Sequence, residues 1–274
     1  MGDFKISSET PNTDKPKPKA NKGLVQAYDN LFRVLYHRRW DGYPGITDCQ
    51  KLVEVADLYC CLSAVVQRVE DALLSTPDIS FDLVRQAPYF VDLAAKVRSK
   101  RLFHDAFVHL VGNWRSWRQR SRSPIQDEVE RLANLEYIRI CEMTIEVDRE
   151  LISMSGSGKR PKWPMVHAVI RRGLKEWLTG RSTSGGKEGV LYKRLLQVSF
   201  TSTREDVKNQ AAIHSSYSVG DLESALESST NSIRRIISPL LKNSLVLRND
   251  LNFDHLTCAE LKDDEYPWKE IDMW

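Results

Sequence analysis

The sequence predicts an all-α protein, and three observations predict it. Apolar residues recur every three or four positions along most of the chain after Leu24. Turn formers and capping residues interrupt that period at helix-length intervals. One run, Ile125 to Met154, keeps a helical pattern for about 30 residues. With 41% hydrophobic and 28% charged residues in a chain of 274, the composition is that of an ordinary folded protein able to bury a core.

Residues 1–23 mix Ser, Thr, Asn, Pro and Lys around Lys15-Pro16-Lys17-Pro18-Lys19, lack an apolar period, and are expected to form a disordered tail. Leu31, Phe32, Leu35 and Tyr36 then share helical spacing and predict a short buried helix. Asp41 to Gly45 reads as a turn, and Thr47 with Gln50 has capping-box spacing, so a second helix is expected to start there. Leu52, Val55, Ala56 and Tyr59 supply its apolar face, which Leu62, Val65, Val66, Val69 and Leu73 continue. Ser63 is a candidate cap dividing the run near Cys60-Cys61. Leu52, Ala56, Tyr59, Val66 and Val69 are expected to be buried.

Helices over 80–87, 88–98 and 101–113 come next, with Pro88 suited to a first turn. Arg115 to Ser123 reads as a polar, Arg-rich connector before the long helix, whose stripe draws on Val129, Leu132, Leu135, Ile138 and Ile145. Ser155 to Pro161 ends it. A helix over 163–179, a Gly/Ser linker from Thr179 to Gly189, and helices near 190–213 and 220–243 complete the helical region. Leu222, Leu226, Ile233, Ile236 and Leu240 mark the last of these. The remaining segment is acidic, and Trp268 is expected to dock onto the helical body.

Forty Lys and Arg against 37 Asp and Glu leave a net charge of only +3, too small to make nucleic acid or an anionic membrane the main partner. Five irregularly spaced cysteines with no leader-like segment before them fit the reducing cytoplasm or nucleus. The longest apolar segments are broken by Arg or Asp and fall short of the roughly 20 residues a bilayer span needs. Met1-Gly2 lacks the Ser or Thr that myristoylation expects, since that position is Ile6.

Motifs for chemistry fail on inspection, and no catalytic residue, cofactor or metal is expected. Ser155-Gly156-Ser157-Gly158-Lys159 resembles a phosphate loop, but Arg160 stands where the magnesium-binding hydroxyl belongs and Ser153 where a Gly belongs. Glu188 spoils Ser184-Gly185-Gly186-Lys187 in the same way. His104 and His109 are five residues apart, which turns them away from the single helix face a metal pair needs. Neighbouring Cys60 and Cys61 cannot easily chelate one ion, and the carboxylates at Asp263 and Asp264 read as a solvated acidic patch.

Asn30 to Tyr36, the turn at Gly42 to Gly45, and Leu52-Val53-Glu54-Val55-Ala56-Asp57-Leu58-Tyr59 together resemble the BTB (POZ) family, with Ser63 to Leu74 as its next helix. Ala87-Pro88-Tyr89, Leu93-Ala94, His109 to Trp114, Asp254 to Cys258 and Asp263 to Trp268 are similar to a group of BTB proteins from filamentous fungi. The resemblance implies a BTB C-terminal half over 24–75 and a helical BACK-like extension over 78–114. A connector over 115–123, a helical region over 124–243 and an acidic segment over 244–274 follow. The β-hairpin and two helices that open a complete BTB domain need roughly 60 residues, and the tail before Leu24 is far shorter. The family's homodimer is therefore not expected, and an apolar patch around Phe32, Leu35 and Tyr36 is expected to stay exposed as a protein-binding site.

What the resemblance implies is a non-enzymatic adaptor whose partners are other proteins, cullin ubiquitin ligases or regulatory complexes among them. The alternative is a nucleic-acid-associated regulator using a strip of interleaved rings and guanidiniums: Trp114, Arg115, Trp117, Arg118, Arg120 and Arg122.

Overall fold

The computed structural model of the chain describes residues 22–38, 40, 44–119, 125–156, 166, 168, 170–172, 174, 177, 189–195, 218–247 and 253–268. Its elements are α1 (Lys22–Leu35), α2 (Ile46–Leu58), α3 (Leu62–Leu74), α4 (Ile79–Lys96), α5 (Lys100–Gly112), α6 (Trp114–Gln119), α7 (Asp127–Gly156), α8 (Val219–Leu241) and a 3-10 turn, Asp263–Glu265. The chain is all-α: no strand occurs among the described residues. The described positions within 166–177 and 189–195 are helical as well. The tail at 1–21 and the linker at 179–188 lie outside the described residues, as does most of the stretch 196–217.

Local chemistry sets the helix ends. Helix α2 starts two residues earlier than Thr47 and Gln50 predict: Gly45 is its N-cap, and its backbone N–H donates to the Asp48 carboxylate at 3.3 Å. Three helices end alike, on a non-glycine residue with φ of 53°: His37 after α1, Cys60 after α2 and Arg98 after α4. In each case the next amide reaches back to a helix carbonyl five residues earlier: Arg38 N–H to Arg33, Cys61 N–H to Ala56 and Ser99 N–H to Ala94. This is the left-handed cap that satisfies two orphan carbonyls at once, here without the glycine that usually makes it easy. The α2 to α3 break therefore lies at Tyr59 to Cys61, and Ser63 is inside α3.

Helices α1, α2 and α3 pack on one another, α4 packs on α2, and α4 and α5 form an antiparallel pair that carries much of the core. Gln86 is non-helical, so α4 is two helices joined at a kink, with Pro88 at the start of the second. Ser99 joins α4 to α5. Its hydroxyl oxygen caps the Leu102 N–H and its own proton goes to Glu70 on α3, 2.7 Å away. Phe90, Leu93, Phe103, Phe107 and Leu110 are fully buried in this pair.

Leu52, Ala56 and Val69 are buried as their spacing predicts, but Tyr59 is 58% exposed and Val66 is half-buried beside a fully buried Val65. Tyr59 fails because α2 stops before it and the left-handed turn at Cys60 redirects the chain. In α7 the buried residues are Val129, Ala133, Ile140, Thr144, Val147 and Leu151, whereas Leu135, Ile138 and Ile145 face outward. The Arg-rich connector starts as helix: 114–119 form α6, which packs on α5 and α7.

Candidate protein-interaction site

Helix α1 buries one side, made by Ala27, Asn30, Leu31 and Val34, against α2 and α3. The expectation of a buried helix holds for Leu31 and fails for its neighbours. Phe32 is 55% exposed, Tyr36 74%, and Leu35 is exposed too. At 100° per residue, Val25, Tyr28, Phe32 and Leu35 fall in one stripe, and Tyr36 extends it past the helix end. Tyr28 meets Tyr59 edge to face, with ring centroids 5.9 Å apart, so the stripe continues onto the exposed Leu58 and Tyr59 that close α2. An Asp29–Arg33 ion pair of 2.7 Å also lies on α1. These side chains form an apolar strip on two adjoining helix ends.

The Arg/Trp strip is laid out differently from a stacking platform. Trp114 is 4% exposed and closes the core below α6, while Trp117 is partly buried against the same core. Arg115 and Arg118 are exposed and line a shallow groove with Gln119 and Tyr137, and Asp127 and Glu130 share a second groove with Arg118. Arg120 and Arg122 lie outside the described residues. The ring of Trp114 is thus committed to packing and has no free face for a base.

A second constellation was not identified from sequence as a site. The segment after α8 runs back over α5 and is held there by buried polar groups. The Asp105 carboxylate, on α5, accepts backbone N–H bonds from Val246 and Leu247, both at 2.9 Å. One turn on, the rings of His109 and His255 meet with Nδ1 and Nε2 3.0 Å apart, and Phe253 packs edge-on against His109. Burial holds His109 down at about 3, helped by the nearby His255 and opposed by Asp105. Burial likewise lowers His255 to about 4, with Lys193 adding to the effect and Asp254 opposing it.

Glycine makes the crossing close enough. A Cβ on Gly112 would collide with the Leu256 carbonyl and stand 2.5 Å from His255 Cδ2, and one on Gly189 would meet the His255 carbonyl. On α7, Glu136 accepts the Glu260 N–H at 2.7 Å and pairs with Arg139. At the end of the segment, Trp268 docks as expected: it is partly buried, T-shaped to Phe103 with centroids 5.2 Å apart, and Tyr266 packs beside it. The two sequence segments singled out together, His109 to Trp114 and Asp254 to Cys258, are thus in contact in space.

Burial pushes the Cys49 thiol up to about 12 and Cys258 up to about 11, which makes both poor nucleophiles near neutral pH. His104 faces the Asp105 carboxylate, 3.3 Å away, and not His109. Among the described residues no group of three or more His, Cys, Asp or Glu is placed to hold a metal, and no helix is long and apolar enough to cross a membrane. Ser157 to Arg160 of the loop resembling a phosphate site lie outside the described residues, as does Ser184 to Lys187. No family model, curated protein or solved structure matches the chain.

Proposed function

We propose that this chain is a non-enzymatic protein-interaction module of the BTB type, an adaptor of the cytoplasm or nucleus that docks a partner protein on the outer stripe of α1. The partner class is that of BTB adaptors, a cullin ubiquitin ligase or a regulatory complex. The observation that carries this reading is the exposure of Phe32, Leu35 and Tyr36 beside Leu58 and Tyr59. Aromatic groups clustered on a firm helical base are what protein interfaces use as anchors. Each large side chain returned to an apolar environment contributes up to about 1.5 to 3 kcal/mol, so a partner that covers three of them gains a useful fraction of a micromolar affinity.

The same helices make a stable platform for the stripe. Their inner faces are fully packed, and the outer residues contribute little to that packing. The nucleic-acid alternative keeps Arg115 and Arg118 as exposed cations but loses Trp114 as a stacking ring, which weakens it.

The test is affinity purification of the tagged chain from its host with mass spectrometry, comparing the parent with Phe32→Asp/Tyr36→Asp. The reading expects specific protein partners, a ubiquitin ligase subunit or regulatory complex among them, that disappear in the variant while its thermal melt stays unchanged. Partners that persist on the variant would sink it. A salt-steep RNA or DNA binding curve, lost when Arg115 and Arg118 become Gln, would move the assignment to the alternative.

A further inference from the structure

Helix α7 carries a second apolar row on the side opposite its core contacts. Leu135, Ile138, Ile145 and Ile152 are each about half-exposed, although all four are large aliphatic residues. With Glu142 and Arg149 they repeat at spacings of three, four, three, four and three, the seam of a two-stranded coiled coil. At 100° per residue this row centres roughly 160° away from the face made by Val129, Ala133, Ile140, Thr144, Val147 and Leu151. The row drifts by about 20° per heptad, which a left-handed crossing of two such helices would follow. It runs along about 26 Å of helix at 1.5 Å per residue.

The charges within the row select its occupant. The two polar seam positions carry opposite signs, Glu142 and Arg149, one heptad apart. A parallel copy would set Glu142 against Glu142 and Arg149 against Arg149, which is repulsive at both places. In an antiparallel copy the seam pairs Leu135 with Ile152, Ile138 with Arg149 and Glu142 with Ile145 across the two-fold axis. Each Glu142 then lies one layer from the Arg149 of the other copy, twice by symmetry. In the single chain Arg149 pairs with Glu146, one turn away on the exposed side, so its side chain reaches along the surface where the second copy would lie.

We infer that the outer face of α7 binds a second copy of this chain, antiparallel about a two-fold axis near residues 143–144. The pair brings Leu135, Ile138, Ile145 and Ile152 together and closes two Glu142–Arg149 ion pairs between copies. The interface is a single helix pair, small beside the area of permanent dimers, so the association is reversible and concentration-dependent. It leaves the α1 stripe free on both copies.

Sedimentation velocity of the full chain over a concentration series tests this. The parent is expected to pass from monomer to dimer as concentration rises. Ile145→Glu should keep it monomeric throughout, with an unchanged circular dichroism melt because Ile145 contributes little to the core. Glu142→Arg and Arg149→Glu should each raise the dimer Kd roughly tenfold or more, and the double charge swap should restore it. A parent that stays monomeric from micromolar to near-millimolar concentration overturns the inference. So does a dimer that Ile145→Glu leaves intact, or a double swap no tighter than either single variant.

Discussion

The imidazole of His109 shares a buried hydrogen bond with that of His255, Nδ1 to Nε2 at 3.0 Å, across 146 residues of sequence. One ring donates its proton and the other accepts, an arrangement open only to a pair that is neutral at both of these nitrogens. A proton added to the accepting nitrogen would set two N–H groups against each other in a site that water does not enter. Both rings are accordingly held far below the usual histidine range, chiefly by burial.

Stability should therefore fall in acid. Both histidines titrate near 6.5 in the unfolded chain and near 3 and 4 in the folded one, so the unfolded state binds more protons between those limits. Above about pH 6.5 neither contributes, and as pH drops each removes about 1.4 kcal/mol per unit until its folded value is reached. From pH 6.5 to pH 5 the pair should cost about 4 kcal/mol. Thermal melts across this range should show the loss, and His109→Leu/His255→Leu should flatten it. A parent melt that does not move between pH 7 and pH 5 would contradict the buried pair.

Gly112→Ala should loosen the segment that follows α8. Alanine gains about 1 kcal/mol of helix propensity at an interior site, but the added Cβ collides with the Leu256 carbonyl and the His255 ring. Overpacking of that kind costs about 1 to 3 kcal/mol, so the collision prevails. The expected result is a lower melting temperature with faster amide exchange over 244–260. A variant as protected there as the parent would show that the crossing is looser than it is described.

Within α1 to α3, Val65→Asp should unfold the helices, since Val65 is fully buried and the new carboxylate has no partner. The penalty is several kcal/mol, comparable with the stability of a whole domain. Tyr59→Ala should do far less, removing one edge-on ring contact worth about 0.5 to 1.5 kcal/mol. Equal melting points for the two variants would be incompatible with the packing of α2 and α3.

Glycine at the left-handed caps should stabilise the protein. His37, Cys60 and Arg98 all sit at φ of 53°, where a side chain costs about 1 kcal/mol or more relative to glycine. Of the three, Cys60 is exposed and outside the core, so Cys60→Gly isolates the backbone effect. Its unfolding midpoint in urea should rise, offset partly by the greater freedom of glycine in the unfolded chain. A lower midpoint would mean that the Cys60 side chain contributes something its exposure does not reveal.

Helix positions were legible because their signals are local: the break at Cys60-Cys61, the kink before Pro88 and the span of the long helix can all be read along the chain. The buried face of α7 was not, because that helix is apolar on two sides. Its core side uses Ala133 and Thr144, small or polar residues that fit between neighbouring helices, while larger Leu135, Ile138 and Ile145 stay outside. A count of apolar residues favours the wrong side in such a helix. Phe32 and Tyr36 share this ambiguity, since spacing groups them with Leu31 but cannot say which flank meets α2. The Asp105 and His109 anchors were hidden for another reason: their partners are backbone amides and a ring more than a hundred residues away. No periodicity encodes such a partner.

The distance between those anchors has a consequence for synthesis on the ribosome. At about 5 to 20 residues per second, some 7 to 30 s separate the emergence of His109 from that of His255. Helices α4 and α5 form within microseconds, so during that interval the α5 side that later receives Phe253, His255 and Trp268 is bare. The nascent chain thus shows Phe103 and His109 to its surroundings long before it can cover them. A holdase chaperone working on this protein should find its binding surface on α5 and be displaced only when residues 244–268 arrive.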